Sequence, residues 1–409
     1  MLTPEGASYS RSQCKVLGLF MLLLMLGLTV MSWFLLAFMS GGCDGNACTH
    51  EDQIVPDVPE SPLLSIFVSV ASYRDPECKD TMQDIFSKAK HPERVFVGSV
   101  QQLATDIEEA CWRPGLKWGQ QIRSITVPFS EARGPTNARH LAATLYRNED
   151  YFFQIDSHTT FRQDWDEHAI AMLDRCPSAK CFLSHYPPAT GDPGLQVPVL
   201  CMSHFDEGAQ MPSFEARNFD LQVGEFMESP FVGAGFQLSS ADVLLEVPFD
   251  PKLDMLFVGE EILYSARLWT KGWDMYAPDM NLVWHHYNRS EHPNVFRDRT
   301  EEWWHPQQGA NARARFLLGM NETAPPGETP SSLAFYGMGT ARNLTDYWRY
   351  AQIDPWERVA DSQQKFCHKH VRRRAALPGP QPAAGATDAA GQNATARKLL
   401  QPLLHRPSP

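Results

Sequence analysis

The sequence predicts an α/β fold in which helices flank a mainly parallel sheet. Between residues 64 and 155, short apolar runs rich in β-branched and aromatic residues alternate with stretches of helical periodicity. Strands that alternate with helices form parallel sheets, because each crossover helix returns the chain to the same edge of the sheet. The 409 residues are enough for one large domain or two ordinary domains with a hydrophobic core.

The predicted elements follow one another in a regular order after the first strand. They are strands at 64–70, 94–100, 122–128 and 151–155 and helices at 80–89 and 136–146. A polar turn at residues 72–76 closes the first strand. The carboxyl-terminal half is less periodic and richer in Pro and Trp, so we expect it to supply loops and one side of a cleft.

The amino-terminal segment 16–39 contains no charged residue and is long enough to cross a bilayer as a helix. Its apolar run is longer than that of a cleaved signal peptide, and no clear small-x-small cleavage site follows it. Arg11 and Lys15 precede this span and acidic residues follow it, so residues 1–15 are expected in the cytosol. The sequence therefore predicts a single-pass type II membrane protein whose body faces the lumen of the secretory pathway.

Three segments are predicted beyond the anchor. Residues 40–62 are rich in Gly, Pro, Asp and Glu and lack periodicity, which suits a short stem. Residues 63–371 are expected to form the folded body. Residues 372–409 consist mainly of Pro, Ala, Gly and Gln, so we expect a disordered tail that cannot bury a core.

Charge and cysteine content narrow the classes of partner and compartment. The formal net charge is −12 and no basic stripe is visible, which argues against a nucleic acid as partner. Eight of the nine cysteines lie beyond the predicted anchor, an even number that is compatible with disulfides in an oxidising lumen. An acidic body can still bind a nucleotide through a divalent cation.

Asp156-Ser157-His158 follows directly on the apolar strand at 151–155. In an open α/β sheet, ligands gather beyond the carboxyl ends of strands. Residues i and i+2 of an extended segment point to the same side, so Asp156 and His158 can share one divalent ion. An isolated Asp-x-His is a weak signal, and a strand-end Asp is often only a turn former. The triplet is therefore a candidate metal site that needs support from the rest of the chain.

Six short segments of the body match the pattern of one known family in the same order. They are Ile66–Cys78, Ala132–Pro135 with Ala138–Arg139, Glu149–His158, Gly259–Ile262, Ala266–Thr270 with Gly272 and Pro278, and His285–Arg289. In these segments the chain resembles the glycosyltransferases of family 60, which add N-acetylglucosamine (GlcNAc) to hydroxyproline or to Ser and Thr of proteins. It is more distantly similar to the mucin-type polypeptide GalNAc-transferases, which also use Asp-x-His.

The resemblance implies a GT-A type nucleotide-sugar-binding domain, UDP-GlcNAc as donor, and a divalent cation held by Asp156 and His158. The donor diphosphate can supply two further ligands. His285 is the preferred third protein ligand and His286 is the alternative, because the sequence does not say which imidazole turns inward. Oxygen and imidazole ligands suit Mn²⁺, with Mg²⁺ as the alternative.

The residues that close the first strand are candidates for binding the donor nucleoside. Under the resemblance, Ser72, Tyr73, Arg74 and Asp75 lie where uracil and ribose sit at the head of such a sheet. Tyr73 is expected to stack on the base, and Asp75 to accept hydrogen bonds from uracil or ribose. An ordinary polar turn ahead of Pro76 is the alternative interpretation.

Two further segments are candidates for binding the donor phosphates and sugar. Arg133, Gly134 and Arg139 flank a helix amino terminus, where free backbone N–H groups and positive side chains favour a diphosphate. Gly235 lets the backbone approach the sugar or the acceptor closely, because glycine has no Cβ. A solvated helix face and a β-bulge are the alternatives for these two segments.

Catalytic roles are expected in the segment that begins at Gly259. Glu260 and Glu261 open a helical pattern, where a carboxylate can hold a sugar hydroxyl or the acceptor. A structural charge that interacts with the helix dipole is an equally good interpretation of these acids without the resemblance. The resemblance makes Glu260, Glu261 and Arg267 the catalytic candidates.

The resemblance further implies retention of the anomeric configuration and a Ser, Thr or hydroxyproline hydroxyl of a protein as acceptor. The predicted anchor makes the Golgi lumen the expected compartment. Another UDP-sugar, GalNAc or galactose, is one alternative, because sugar choice depends on the shape of the pocket. A non-catalytic membrane-anchored scaffold or lectin is the other, because fold alone does not imply activity.

Overall fold

The computed structural model describes residues 63–104, 108–112, 117–298, 304–320, 323–360, 365–368 and 371–372. The predicted cytosolic segment, anchor and stem lie outside the described residues, as does the predicted tail beyond residue 372. Within the described ranges, no helix is both long enough and apolar enough to cross a membrane.

The strands and helices are numbered here in chain order. The strands are β1 (Ile66–Tyr73), β2 (Val95–Leu103), β3 (Ile122–Pro128), β4 (Tyr151–Asp156), β5 (Thr159–Phe161), β6 (Cys181–Ser184), β7 (Val197–Phe205), β8 (Pro212–Phe219), β9 (Phe226–Met227), β10 (Phe236–Ser240), β11 (Asp274–Tyr276), β12 (Val283–His285), β13 (Ile353–Asp354), β14 (Val359–Ala360) and β15 (Val371–Arg372). The helices are α1 (Cys78–Ser87), α2 (Pro135–Ala143), α3 (Trp165–Arg175), α4 (Val243–Glu246), α5 (Glu260–Thr270), α6 (Val295–Asp298), α7 (Trp304–Leu317), α8 (Pro330–Tyr336) and α9 (Leu344–Ala351).

A seven-stranded sheet with the order β11-β6-β10-β4-β1-β2-β3 forms the centre of the fold. Strands β4, β1, β2 and β3 are parallel to one another, and β6 is parallel to β11. Strand β10 runs antiparallel to both of its neighbours. The predicted α/β class with a mainly parallel sheet is confirmed.

Strand β1 is apolar along most of its length because both of its faces are covered. Successive side chains of a strand face opposite sides of the sheet. Ile66, Val68 and Val70 pack in the core that includes α1 and α3, whereas Phe67 packs in the core that includes Phe152 and α5. Burial on both faces explains a continuous apolar run in place of an alternating one.

The strand order changes direction beside β1, and this places the ligand crevice. Strands β2 and β3 lie on one side of β1, and β4 lies on its other side. Such a switch point opens a crevice outside the carboxyl ends of the two central strands. Because β1 ends at Tyr73 and β4 ends at Asp156, the polar residues that follow both strands meet in this crevice.

The first strand differs from its prediction at its carboxyl end. The predicted strand stops at residue 70, but β1 continues to Tyr73 because Ser72 and Tyr73 pair with Gln101 and Gln102 of β2. The start of the predicted polar turn is therefore strand. By contrast, β3 has the predicted bounds, and β4 exceeds its prediction only by Asp156.

The carboxyl-terminal half contains more regular structure than its sequence pattern indicates. It includes the antiparallel pair β7–β8 as well as helices α5, α7 and α9. Three disulfides join cysteines of the body, at Cys78–Cys111, Cys176–Cys181 and Cys201–Cys367. The last one links β7 to the end of the described chain, over a separation of 166 residues.

Candidate active site

Asp156, His158 and His285 meet in the crevice beyond β4, and we refer to them as the inner cluster. Strand β12 pairs with β5 in a register that sets His285 opposite Thr159, which brings the rings of His158 and His285 to 4.5 Å between centroids. His285 Nε2 lies 3.1 Å from Asp156 Oδ2. One potential ligand atom from each residue lies within 4.8 Å of the other two.

Asp75 orients His158 from behind. Its Oδ2 lies 2.8 Å from His158 Nδ1 and accepts a hydrogen bond from the Ser157 hydroxyl at 2.6 Å. Because a carboxylate only accepts, Nδ1 carries the proton and Nε2 keeps its lone pair for a cation. Burial raises the pKa of Asp75, but His158, Ser157 and Arg289 together lower this pKa to about 2. Asp75 therefore positions His158 through Oδ2, and its contact with uracil or ribose stays a prediction.

Arg139 connects Asp156 to Glu260 inside the protein. Arg139 Nη2 lies 3.4 Å from Asp156 Oδ1, and Nη1 donates to Glu260 Oε1 in a short ion pair. Burial raises the pKa of Asp156, but His285, Arg139 and His158 bring it well below its usual range. Asp156 is thus an anion at neutral pH, and Arg139 holds it in place.

Glu261 differs from its neighbour Glu260 in its surroundings. The Tyr186 hydroxyl donates to Glu261 Oε2 at 2.5 Å, and the Ala234 N–H donates to Oε1 at 2.8 Å. Burial raises the pKa of Glu261 to about 7, although both hydrogen bonds oppose this shift. Glu260 forms an ion pair with Arg139, whereas the raised pKa of Glu261 lies near neutrality. Two neighbouring acids in such different surroundings suit two different roles.

The inner cluster and both acids line one cavity of about 570 Å³, a volume typical of small-molecule sites. The predicted site residues that line it are Tyr73, Asp75, Gly134, Arg139, Asp156, His158, Gly235, Glu260, Glu261 and His285. A neighbouring cavity of about 410 Å³ shares Phe257, Val258 and Phe296 with the first.

Two of the lining glycines bring the backbone close to the site. A Cβ added to Gly235 would lie 3.0 Å from Asp156 Oδ2. Gly134 has a φ of 88°, a conformation that favours glycine, and a Cβ there would lie 2.8 Å from Met255 Cα. Gly134 directly precedes α2 and lines the cavity, and the amino end of a helix favours an anion.

Three predicted donor-binding residues do not line this cavity. Ser72 and Arg74 line a separate cavity of about 300 Å³, and Arg74 Nη1 pairs with Asp298 Oδ2 at 2.7 Å. The side chain of Arg133 is half exposed and pairs with Asp254 at 2.7 Å. Alternation along β1 explains the position of Ser72, because Ser72 and its neighbour Tyr73, which lines the donor cavity, face opposite sides of the sheet.

Arg267 also lies away from the cavity, contrary to the expectation of a catalytic position. It follows Glu260 by two turns of α5, which corresponds to about 10 Å along the helix axis. Its side chain is buried in the core, and its Nε and Nη2 have no hydrogen-bond partner among the described residues. Arg267 is therefore a core residue of the described structure.

The two candidate histidines, His285 at the end of β12 and His286 directly after it, contact different carboxylates. His285 Nε2 contacts Asp156, whereas His286 Nδ1 lies 2.8 Å from Glu77 Oε1. Neighbours in an extended segment point to opposite sides, so only one of these imidazoles can face Asp156. The structure brings His285 to the inner cluster.

Sequence reasoning missed three residues that shape the site. Tyr186, the partner of Glu261, lies outside every motif, and nothing in its local sequence signals a role. Tyr287 lies 4.2 Å from His285 between ring centroids, and Arg289 Nη2 pairs with Asp75 at 3.1 Å. The alternation of residues 285, 287 and 289 in an extended segment could have indicated both, because these side chains share one side.

The inner cluster fits a divalent cation. One carboxylate and two imidazoles form a donor set that suits Mn²⁺, and Mg²⁺ is the harder alternative. Two ligands at about 2.1 Å from an octahedral cation lie about 3 Å apart. The 3.1 Å separation of Asp156 Oδ2 and His285 Nε2 matches this spacing.

The family model described as Glycosyltransferase (GlcNAc) matches the chain over residues 65–116 and 113–357. These two stretches contain the whole inner cluster as well as Glu260 and Glu261. No curated protein matches the sequence.

Two solved structures illustrate the remaining similarities. GalNAc-T7 with UDP, GalNAc and Mn²⁺ is 11% identical, with a TM-score of 0.48, over 71% of this chain and 57% of that chain. Residues 1–349 of TarS of S. aureus with UDP-GlcNAc are 11% identical, with a TM-score of 0.36, over 66% of this chain and 70% of that chain. Neither similarity is high enough to decide function, which therefore rests on the family match and the site itself.

Proposed function

The chain belongs to the Glycosyltransferase (GlcNAc) family, and on that premise we propose that it transfers GlcNAc from UDP-GlcNAc to a hydroxyl group of a protein. The enzyme is a metal-dependent, retaining glycosyltransferase of the GT-A type and of family 60. Its acceptor hydroxyl belongs to Ser, Thr or hydroxyproline.

The position of the inner cluster is the main support for this proposed function. The inner cluster lies at the carboxyl end of β4, beside the switch point of a mainly parallel sheet, and faces a cavity of about 570 Å³. A carboxylate and two imidazoles at such a crevice suit a cation that binds a nucleotide diphosphate. The family match and this geometry support the same class of substrate.

Different residues of the cavity wall would bind the cation, the phosphates and the uracil of the donor. When bound in the inner cluster, Mn²⁺ or Mg²⁺ supplies Lewis-acid stabilisation of the departing diphosphate. Asp75 keeps His158 in the tautomer that leaves Nε2 free. The amino end of α2 at Gly134 offers backbone N–H groups to the phosphates, and Tyr73 lines the cavity where uracil would stack.

Retention proceeds by a front-side displacement. The acceptor oxygen forms a bond to the anomeric carbon on the face from which UDP departs, and the hydroxyl proton goes to the departing phosphate oxygen. Glu260 is paired with Arg139 and Glu261 with Tyr186, so both acids are suited to holding sugar hydroxyls rather than to attacking carbon. A glycosyl adduct trapped on either acid and detected by mass spectrometry would contradict this pathway.

A donor panel tests the function directly. Release of UDP by the purified full chain is measured with UDP-GlcNAc, UDP-GalNAc and UDP-galactose in the presence of Mn²⁺, and again with chelator. Turnover selective for UDP-GlcNAc that disappears with chelator supports the proposed function. Selectivity for another sugar would replace the donor, and the absence of both turnover and donor binding would favour a non-catalytic scaffold or lectin.

The acceptor approaches from the neighbouring cavity. This cavity of about 410 Å³ joins the donor cavity at Phe257, which is 65% exposed, and its lining includes the polar side chains of Gln307 and Asn311. Phe257→Ala is expected to raise the KM for a protein acceptor and to leave the KM for UDP-GlcNAc unchanged. Trp356→Ala is the matched control, because Trp356 is similarly exposed and lies outside both cavities. Equal KM values for the acceptor in the two variants would exclude this approach.

We further propose that the body lies in the Golgi lumen behind the anchor at residues 16–39. The three disulfides of the body favour an oxidising compartment. Protease protection in sealed microsomes provides the measurement. Digestion of the body in intact vesicles would contradict a lumenal location.

A further inference from the structure

A second group of metal-ligand side chains, Glu77, His286 and His292, lies outside the donor cavity, and we refer to it as the outer cluster. His286 Nδ1 lies 2.8 and 2.9 Å from the two carboxylate oxygens of Glu77. His292 Nε2 lies 3.5 Å from Glu77 Oε1. One potential ligand atom from each of the three residues lies within 4.8 Å of the others.

The outer cluster joins two parts of the chain that are more than 200 residues apart. Glu77 directly precedes α1, and its side chain makes no capping hydrogen bond to that helix. His286 follows β12, and its backbone N–H donates to the His158 carbonyl at 3.1 Å. His292 lies six residues further on, in the segment that leads to Pro293 and Asn294 of the donor-cavity wall. A ligand held by all three side chains would fix this wall to the start of α1.

Two imidazole nitrogens directed at one carboxylate suit either hydrogen bonds to that carboxylate or a cation shared with it. Both imidazoles direct a nitrogen at the same carboxylate, so without a cation both of these nitrogens must carry a proton. His292 Nδ1 is buried and has no hydrogen-bond partner among the described residues. The lone pairs of two neutral imidazoles and the charge of one carboxylate are satisfied together by a single divalent ion.

Arg289 forms ion pairs with two carboxylates, those of Glu77 and Asp75. Its Nη1 lies 3.3 Å from Glu77 Oε1, and its Nη2 lies 3.1 Å from Asp75 Oδ2. When Glu77 binds a cation, Arg289 therefore keeps a carboxylate partner. The ion pair to Asp75 also leaves the support of the inner cluster in place.

We propose that Glu77, His286 and His292 bind a second divalent cation, of which Zn²⁺ is the best match. Two imidazoles and one carboxylate are a common three-residue ligand set for zinc, with a water molecule in the fourth position. The bound ion joins α1 to the segment 286–294 and holds one wall of the donor cavity. Zinc binding at this site does not depend on the proposed transferase activity.

Zinc content separates the two clusters. The full chain, purified in detergent, is stripped with chelator, reloaded with Zn²⁺ alone and analysed for metal per chain. Asp156→Ala removes the anionic ligand of the inner cluster and is expected to retain one zinc equivalent. The double variant Asp156→Ala/His292→Gln is expected to lose that equivalent. His204→Gln in the Asp156→Ala background is the control, because His204 pairs with a single surface carboxylate, Glu215.

A second variant and a second readout keep the test decisive. Glu77→Gln in the Asp156→Ala background removes the same equivalent without changing a histidine, and unfolding in chelator checks that each variant is folded. Zinc is expected to slow hydrogen exchange at residues 286–294 in Asp156→Ala and not in either double variant. Equal zinc content in Asp156→Ala and both double variants would overturn the site, as would a folded Asp156→Ala chain that retains no zinc.

Discussion

His285 and His286 are neighbours in the chain, yet the clusters to which they belong have different surroundings. The His285 side chain is 11% exposed, and buried ion pairs lie behind the ligands of the inner cluster. The His286 side chain is 39% exposed, and Arg289 is the charged neighbour that contacts its partner Glu77. The same ligand types therefore occur once against a rigid charged layer and once near the surface.

This difference indicates what each cluster can do. Ligands that are fixed by a second layer and face a cavity can present a cation to a reacting phosphate. Ligands that come from a helix start and a surface segment are suited to joining those two segments. Changes to the inner cluster and its support should therefore affect turnover strongly, and changes to the outer cluster should affect it weakly.

Asp156→Ala should reduce UDP-GlcNAc turnover most strongly. The substitution removes the only carboxylate among the inner-cluster ligands, so the imidazoles lose the charge that they share with the cation. We expect kcat/KM for UDP-GlcNAc turnover to fall by about a hundred- to a thousandfold, the scale of a lost electrostatic contact in a catalytic centre. Asp346→Ala, at an exposed helical ion pair, is the control in the UDP-release assay. Similar activity in both variants would show that the inner cluster is not catalytic.

Glu261→Gln tests the raised pKa of the buried Glu261 carboxyl through the pH dependence of protein stability. The pKa of Glu261 rises from 4.5 to about 7 on folding, so the folded state holds a proton between these values that the unfolded state has released. The stabilising contribution is complete below the unfolded pKa and is lost as pH rises through about 7, and its size is roughly 3 kcal/mol.

Glu261→Gln is accordingly expected to gain stability relative to wild type as pH rises. Urea unfolding at about pH 5 and about pH 8 measures the difference in free energy of unfolding at each pH. Glu93→Gln, at an exposed position, should show the same difference at both values. A difference for Glu261→Gln that is also independent of pH would contradict the raised pKa.

Asp75→Asn separates the support of a ligand from the ligand itself. The amide cannot supply the negative charge that polarises His158, so we expect the Mn²⁺ concentration for half-maximal activity to rise about 10- to 100-fold. Ser157→Ala removes another partner of Asp75 and keeps the carboxylate, so its effect should be much smaller. Equal effects of the two substitutions would mean that Asp75 does not act through His158.

Gly235→Ala probes how closely the inner cluster is packed. The added Cβ would lie 3.0 Å from Asp156 Oδ2, so the carboxylate must move by a few tenths of an ångström. A shift below 1 Å is expected to lower kcat/KM by about tenfold or less. Gly309→Ala is the matched control, because a Cβ there meets no atom within 4 Å. The comparison uses initial rates at saturating Mn²⁺.

Glu77→Gln in the outer cluster should change UDP-GlcNAc turnover least. Glu77 does not line the donor cavity, and loss of a partly exposed ion pair costs less than about 1 kcal/mol, or about fivefold. Turnover of UDP-GlcNAc at saturating Mn²⁺ measures this effect. A loss as large as that of Asp156→Ala would make both clusters one catalytic centre and remove the distinction between them.

The elements of the amino-terminal half can be predicted from the sequence because their signals are local. Strand β3 and the start of β4 follow from apolar runs with polar ends. In the carboxyl-terminal half, α5 also begins at Glu260, as its local pattern indicates. The carboxyl end of β1 is harder to predict from the sequence, because Ser72 and Tyr73 become strand only through pairing with β2. The pair β7–β8 similarly depends on contacts between segments whose own periodicity is weak.

The site residues likewise divide into those with a local sequence signal and those that depend on contacts between distant segments. Asp156 and His158 can be recognised together because two residues at i and i+2 after a strand share one side. Arg267 illustrates the limit, since its place in a motif says nothing about which part of α5 reaches the cavity. Tyr186 carries no local signal, because its role exists only through contact with Glu261.

The amino-acid sequence alone predicts the α/β class, the Asp-x-His triplet and the acids that open α5, since each depends on neighbours along the chain. The folded chain is needed to see that His285 contacts Asp156 while His286 contacts Glu77. It also shows that Asp75 supports a histidine. Charge and hydrogen bonding act between atoms a few ångströms apart, and folding brings those atoms together from positions more than 200 residues apart.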